Sequence, residues 1–236
     1  MEGFEKGFSR ITSLLGDKAR STMLWYLLDG RAYTATELAM CADISAQSAS
    51  NHLSKMVNAN MLIVKKQGRH RYYKYANPEM AHAIESIAGL VPVNAELNRM
   101  GKTGTSDFTR ARTCYDHLAG KLGVAVTDSL LQQKIIISNK NVFEITKKGQ
   151  PWFSDLCIDV NKLMQQPRSF LRPCLDWSER KYHIAGSLGA ALLDLMLAED
   201  WIRRIKNSRT VIITAKGEKN LYEYFKLTTS APSLVV

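Results

Sequence analysis

The run Ile44-Ser45-Ala46-Gln47-Ser48-Ala49-Ser50-Asn51-His52-Leu53 decides how the first third of the chain is read. Ser45 follows a tight Asp43-Ile44-Ser45 turn and is placed to cap a helix. The spacing predicts that helix over about 46–58, with Ala49, Leu53, Met56 and Val57 facing inward. Its other face carries Gln47, Ser48, Ser50, Asn51, His52 and Lys55. A shorter helix precedes the turn, with Thr36 expected as cap and Glu37, Leu38, Ala39 and Met40 following. Two short helices joined by a turn of about three residues make a helix-turn-helix. Small polar side chains near the start of the second helix can approach base edges without steric conflict.

Working outward, Phe4, Phe8, Ile11, Leu14 and Leu15 mark an amphipathic first helix ended by Gly16. Asp17 is expected to cap a second helix that stops near Asp29-Gly30. Downstream, Leu62 to Lys66 and Arg71 to Tyr75 read as two strands joined by a turn at 67–70. This hairpin concentrates Lys65, Lys66, Arg69, His70, Arg71 and Lys74. A basic hairpin directly after a helix-turn-helix is a wing, suited to phosphate contact. Pro78 opens a further helix, with Met80, Ala83, Ile84, Ile87 and Leu90 expected inside.

These segments resemble the ArsR family of bacterial winged-helix repressors. The stretches are Asp17-Lys-Ala-Arg, Thr36-Glu-Leu-Ala, Ile44 to Leu53, Asn60-Met-Leu-Ile-Val and Gly68-Arg-His-Arg-Tyr-Tyr. The resemblance covers about residues 4–91. It implies a homodimer built on the first and last helices of that domain. It also implies binding to an inverted-repeat operator in double-stranded DNA, and repression relieved by an inducer whose identity is unknown. The metal-sensing branch of the family carries paired cysteines before the turn, where this chain has only Cys41. The other family metal site uses Asp and His on the last helix, where this chain offers His82 and Glu85. Cys41 is expected to be a small buried hydrophobe.

The chain has 236 residues, 32 Lys+Arg, 22 Asp+Glu and a formal charge of +10. That favours polyanionic partners, but residues 1–91 carry only +3 of it and the rest +7. Local clustering therefore says more than net charge. No apolar run approaches the roughly 18 residues of a membrane helix, and the start lacks an apolar signal core. A cytoplasmic protein without membrane contact is expected. Cys41, Cys114, Cys157 and Cys174 show no CxxC spacing, which argues against a zinc ribbon. No phosphate loop, HExxH, GxSxG or Cys-His-Asp pattern appears, so no catalytic residues and no required cofactor are expected.

Residues 1–91 are read as the DNA-binding domain, 92–107 as a linker and 108–236 as a second, regulatory domain. That second domain repeats itself. His117-Leu-Ala-Gly-Lys-Leu-Gly-Val-Ala-Val-Thr-Asp128 aligns with His183-Ile-Ala-Gly-Ser-Leu-Gly-Ala-Ala-Leu-Leu-Asp194, identical at seven of twelve positions. Phe143-Glu-Ile-Thr-Lys-Lys-Gly149 likewise aligns with Val211-Ile-Ile-Thr-Ala-Lys-Gly217. The repeats span about 108–165 and 174–227. Each is expected to run helix, strand, helix, the last helices covering 150–163 and 218–226, with strands able to pair between copies. The fold class is mainly α with small β-wings (α+β), an N-terminal winged helix-turn-helix followed by two winged-helix-like repeats. The second half also looks like the extension of a longer branch of ArsR-type regulators.

Cys114 and Cys174 enter their repeats beside Arg112 and Tyr115, and Arg172 and Trp177. With His117 and His183 they are candidate sensing residues, and three readings stay open. The thiols form a disulfide on oxidation; the four residues bind a soft metal or metalloid; or all four are core. Cys157 is expected in the core. Trp152, Phe153, Trp177 and Trp201 serve packing or line a small-molecule pocket. The candidate DNA contacts are Ser45, Gln47, Ser48, Ser50, Asn51, His52, Lys55, Lys65, Lys66, Arg69, His70 and Arg71. The alternatives to a regulator are a protein-interaction adaptor with a basic surface, or an enzyme that kept a vestigial wing.

Overall fold

The computed structural model describes residues 2–91, 106–140 and 142–228. The expected linker 92–107 therefore falls almost wholly outside the described residues. Two compact units emerge, 1–87 and 88–236.

The first unit holds α1 (Glu2–Leu15), α2 (Lys18–Tyr26), β1 (Tyr33–Thr34), α3 (Ala35–Ala42), α4 (Ala46–Asn58), β2 (Leu62–Gln67), β3 (His70–Tyr75) and nearly all of α5 (Pro78–Gly89). Asp17 caps α2 by accepting from the Arg20 amide at 2.9 Å. The cap of α3 is Thr34, not Thr36. Thr34 and Glu37 form a reciprocal capping box, which Thr36 cannot form because Ala39 stands three residues on. Asp43 ends α3 in the left-handed region, φ 54°, and the Ile44 amide donates to Ala39 O at 3.1 Å. That closes the three-residue turn. Ser45 then caps α4 through the Ser48 amide at 3.1 Å.

β1, β3 and β2 form a three-stranded antiparallel sheet in that order. Gln67 pairs with His70, so the wing turn is the two-residue Gly68-Arg69 and tighter than the expected 67–70. Gly68 supplies the positive φ, 58°, that such a turn requires. Met23, Leu24, Leu28, Leu38, Leu53, Met56 and Met61 fill the core under the sheet. On α5, Ala81 and Ile84 are buried, but Ala83 and Ile87 are exposed, and so is Leu90 just past its end. The inward face is therefore rotated from the expected one. Phe4 and Phe8 on α1 are also exposed, at 83% and 62%.

The second unit contains α6 (Ser106–Arg110), β4 (Arg112–Cys114), β5 (His117–Ala119), α7 (Gly120–Gln132), β6 (Ile136–Asn139), β7 (Val142–Ile145), α8 (Gly149–Asp155) and α9 (Val160–Met164). It continues with β8 (Arg172–Leu175), β9 (Tyr182–Ala185), α10 (Ser187–Ala198), β10 (Ile202–Arg204), β11 (Val211–Ile213) and α11 (Ala215–Phe225). Each repeat is thus hairpin, helix, hairpin, helix, with a hairpin ahead of the expected first helix and another in place of the expected single strand, and the second repeat begins at Arg172 or before. The expected pairing of strands between copies is confined, in the described residues, to one antiparallel bridge, Arg112 with Thr210, where the Thr113 amide donates to Arg209 O at 2.9 Å and the Val211 amide to Ala111 O at 3.0 Å. Among the described residues the strands of this unit form four separate two-stranded hairpins.

The expected helix 150–163 is broken in two. Cys157 takes φ 58° after α8, and Asp159 starts α9 by accepting from the Lys162 amide at 3.0 Å. Cys157 is exposed at that break and is not a core residue. Both second hairpins end alike. Thr146 accepts from the Gly149 amide at 3.0 Å, and Thr214 from the Gly217 amide at 2.9 Å. Each hydroxyl also donates back to the residue two before the hairpin, Lys134 O and Asp200 O.

The two copies interlock through glycines. A Cβ on Gly123 would stand 2.5 Å from Leu118 O and 3.7 Å from the His183 Cβ. One on Gly189 would stand 2.7 Å from Ile184 O and 3.3 Å from the His117 Cβ. Each glycine thus seats its helix on its own hairpin and on the histidine of the other copy. Thr127 on α7 joins the copies again, its hydroxyl accepting the Ile184 amide at 3.0 Å. Around this seam lie Leu118, Leu122, Val126, Leu130, Ile184, Leu188, Leu192, Met196 and Trp201 in one core.

Candidate nucleic-acid interface and a buried histidine–cysteine cluster

The α4 helix presents Gln47, Asn51 and Lys55 to solvent, with Ser48 and Ser50 half-buried beside them. Ser45 is exposed but spends its hydroxyl on the cap. His52 is differently engaged. Its Nδ1 lies 3.1 Å from an Arg20 nitrogen and 3.9 Å from Asp17 Oδ1, which turns the ring toward α2. The Arg20 amide, the Arg20 charge and His52 together hold the Asp17 carboxyl below its usual range. Arg20 also donates to Leu14 O and Ser13 O, so the start of α2 locks α1 to the recognition helix.

Lys65, Lys66, Arg69, His70 and Arg71 are all exposed on the wing. Lys66 stands directly opposite Arg71 in the register. Like charges so placed repel across a hairpin, and a line of phosphates would relieve that repulsion. Cys41 is half-buried on α3, where burial first, and then Glu37 and Asp29, push its thiol up in pKa. His82 and Glu85 sit three residues apart on α5.

In the second unit, Cys114 pairs across its hairpin with His117, and Cys174 across its own with His183. The unequal spacings in sequence, three residues and nine, become the same register. The difference is the longer loop of the second hairpin. The two hairpins meet face to face, with His117 Nε2 3.1 Å from His183 Nε2. One donor atom from each of Cys114, His117, Cys174 and His183 lies within 4.8 Å of all the others, and all four residues are buried. None of the chain's four cysteines is in a disulfide.

Each histidine is backed by a carboxylate two residues after the cysteine of its hairpin. His117 Nδ1 lies 3.2 Å from Asp116 Oδ1, and His183 Nδ1 3.4 Å from Asp176 Oδ2. These carboxylates are in turn held by arginines. Arg112 reaches both oxygens of Asp176 at 3.0 Å, with both side chains buried. Arg168 reaches Asp116 Oδ2 at 2.6 Å near the surface. Asp176 also accepts from the amides of Gly120, Ser178 and Glu179 and from the Ser178 hydroxyl. Burial alone would raise its pKa, but His183, Arg112 and Ser178 outweigh that and hold the carboxyl far below the usual range. Asp116 is held down similarly, by His117 and Arg168 against burial. Burial opposes charge on His183, yet Asp176 and Cys114 more than offset it and raise its pKa.

The sequence expectation named the two cysteines and two histidines, and the fold brings all four together. It passed over Asp116, Asp176 and the Arg112 pairing. A signal for the carboxylates was available in the matching Cys114-Tyr-Asp116 and Cys174-Leu-Asp176 triplets. Arg112 looked like a cation beside a thiol. Its guanidinium instead serves Asp176 and stacks on Trp177 at 4.8 Å and Phe108 at 5.1 Å. Phe153 and Trp201 belong to the core, and Trp152 packs against it.

The chain is 43% identical over 210 residues to the HTH-type transcriptional regulator YdfF of Bacillus subtilis (strain 168), itself uncharacterized. The match covers 89% of this chain and 93% of that protein. The chain belongs to the helix-turn-helix transcriptional regulators. No protein-family model matches it. Solved structures similar to the regulator cover a little over a third of it. One is the homodimeric winged helix-turn-helix domain of Mb0332 from Mycobacterium bovis, a possible ArsR-family regulator, with 17% identity and a TM-score of 0.35 over 36% of this chain and 79% of that one. Another is HlyU from Vibrio cholerae, with 21% identity and a TM-score of 0.35 over 38% and 97%. A third is the cadmium sensor CMTR from Mycobacterium tuberculosis, with 27% identity and a TM-score of 0.31 over 37% and 98%. Among the described residues of the regulator, no helix is long and apolar enough to cross a membrane.

Proposed function

We propose that this regulator is a homodimeric repressor of the ArsR type that binds an inverted-repeat operator and releases it on a signal received by the second unit. The observation that carries the DNA-binding part is the pairing of a capped helix, polar on its outer face, with a hairpin bearing five exposed basic side chains next in the chain. In this reading α4 enters the major groove. Gln47, Ser48, Ser50 and Asn51 meet base edges there, while Ser45 fixes the helix start. Lys55, Lys65, Lys66, Arg69, His70 and Arg71 follow the phosphates, and His52 steadies α4 against α2 while its outer edge faces the backbone.

The exposed Phe4, Phe8 and Ile87 support self-association through α1 and α5. A two-fold dimer would place two recognition helices on half-sites about one helical turn, roughly 34 Å, apart. Release then follows if the signal favours an arrangement of the dimer in which that spacing is lost. Selection from random duplex DNA tests the reading. Enrichment of a two-fold symmetric motif is the expected result, and recovery of DNA without sequence preference would leave a non-specific basic adaptor in its place.

A further inference from the structure

We propose that Cys114, His117, Cys174 and His183 form a closed tetrahedral site for a zinc-class divalent ion, each repeat supplying one thiolate and one imidazole. Four donors at about 2.0–2.3 Å from a common centre stand about 3.3–3.8 Å apart at the corners of a tetrahedron. Here the two imidazole nitrogens are 3.1 Å apart and all four donor atoms lie within 4.8 Å, so only small side-chain shifts separate the cluster from that geometry. Two Nε2 atoms so close share one proton or one cation; both cannot carry their own hydrogen.

The surroundings match a metal site in a second respect. Ligating imidazoles usually give their other N–H to a carboxylate, which fixes the tautomer and aims the ring. Asp116 meets His117 Nδ1 at 3.2 Å for this role. Asp176 lies 3.4 Å from a His183 Nδ1 that closes no hydrogen bond as placed and is a small ring rotation from doing so. Each carboxylate is anchored by an arginine. A disulfide between Cys114 and Cys174 would need none of this. Charge also balances. The ion displaces the two thiol protons and the proton shared between the Nε2 atoms to solvent, and two thiolates neutralise it in a core where Arg112 already neutralises Asp176. Soft sulfur with imidazole nitrogen in a tetrahedron favours zinc over magnesium or calcium. Four buried protein ligands leave no position for water, so the ion would tie the two repeats together and would not activate a nucleophile.

The proposal is independent of the operator, because it is read from metal content and ligand-field spectra. The full chain is purified under reducing conditions, its metal measured by mass spectrometry, and the chelator-stripped protein titrated with Co²⁺. One zinc per chain as purified, and one tetrahedral, thiolate-ligated cobalt per chain on titration, are expected. Cys114→Ser and Cys174→Ser should each lose that spectrum, as should His117→Gln and His183→Gln. Cys41→Ser and Cys157→Ser should keep it. Circular dichroism checks that each variant folds, and the parent chain decides the matter where a variant does not. A folded parent that binds no cobalt or binds it octahedrally overturns the proposal. So does a cobalt spectrum retained in both histidine variants, or a Cys114–Cys174 disulfide found in place of metal. Gel retention on selected DNA, run on the same preparations, reports the DNA-binding reading separately.

Discussion

Replacing Arg112 by Met should be the most damaging single change in the second unit outside its apolar core. The guanidinium is buried, grips both oxygens of Asp176 and lies against the Phe108 and Trp177 rings. Methionine keeps most of the volume but leaves the Asp176 charge buried without its cation. Breaking a buried pair in this way typically costs about 3–5 kcal/mol. Asp176 retains the Gly120, Ser178 and Glu179 donors, which places the expected loss near the lower end, about 3 kcal/mol. For a unit of this size that corresponds to a fall in Tm of roughly 6–12 °C. Arg168→Met provides the matched control. It removes the arginine of the pseudo-equivalent Asp116, but at a partly exposed site, and should cost under about 1 kcal/mol. Unfolding in urea followed by tryptophan fluorescence measures both, and Trp177 reports on the pair directly. Adding Asp176→Asn to Arg112→Met should recover part of the loss, because the stranded charge is gone. The reasoning is refuted if Arg112→Met costs no more than Arg168→Met, or if the double variant is no more stable than the single.

Changing Arg69 and Arg71 together to Ala should weaken binding on every DNA sequence and lower the slope of log affinity against log salt by about 2, as counted from phosphate contacts; titrations at several salt concentrations check it. Gln47→Ala should instead shift the preferred sequence, with about 1–3 kcal/mol of discrimination lost at one position of each half-site. An unchanged motif after a repeated selection would remove Gln47 from the base-reading set. Phe8→Glu on the exposed face of α1 should drive dimer toward monomer in analytical ultracentrifugation without loss of helix content. A dimer of unchanged stability would move the interface away from α1.

Legibility in the sequence followed how local the physics was. The bounds of α4 were readable because Ser45 caps it and the inward Ala49, Leu53 and Met56 keep helical spacing. Thr34 was missed in favour of Thr36, although only Thr34 has a glutamate three residues on to close the capping box. The break at Cys157 was missed because the apolar pattern runs on through it. The signal there was Asp159, a helix starter inside an apparent helix. On α5 the inward face was misjudged because apolar side chains lie on its outer face as well, Ile87 among them. The repeat put Cys114 and Cys174 at matching entries, but their convergence was only one of the readings left open. Their distances to His117 and His183 differ in sequence, and only strand register makes them equal. Arg112 and Asp176 are 64 residues apart, so no local pattern announces their contact.

The reciprocal seating of Gly123 on His183 and Gly189 on His117 also governs how the chain can be made. When only the first copy has left the ribosome, α7 has no partner hairpin to cover its small-residue face. The first unit, complete within its own residues, can close early. The second must wait until about residue 225 has emerged, because Ser129 on α7 donates to Phe225 O and the Thr113 amide to Arg209 O, and then fold both copies together. A truncation between the copies therefore yields an unfolded tail, not half of a regulatory domain.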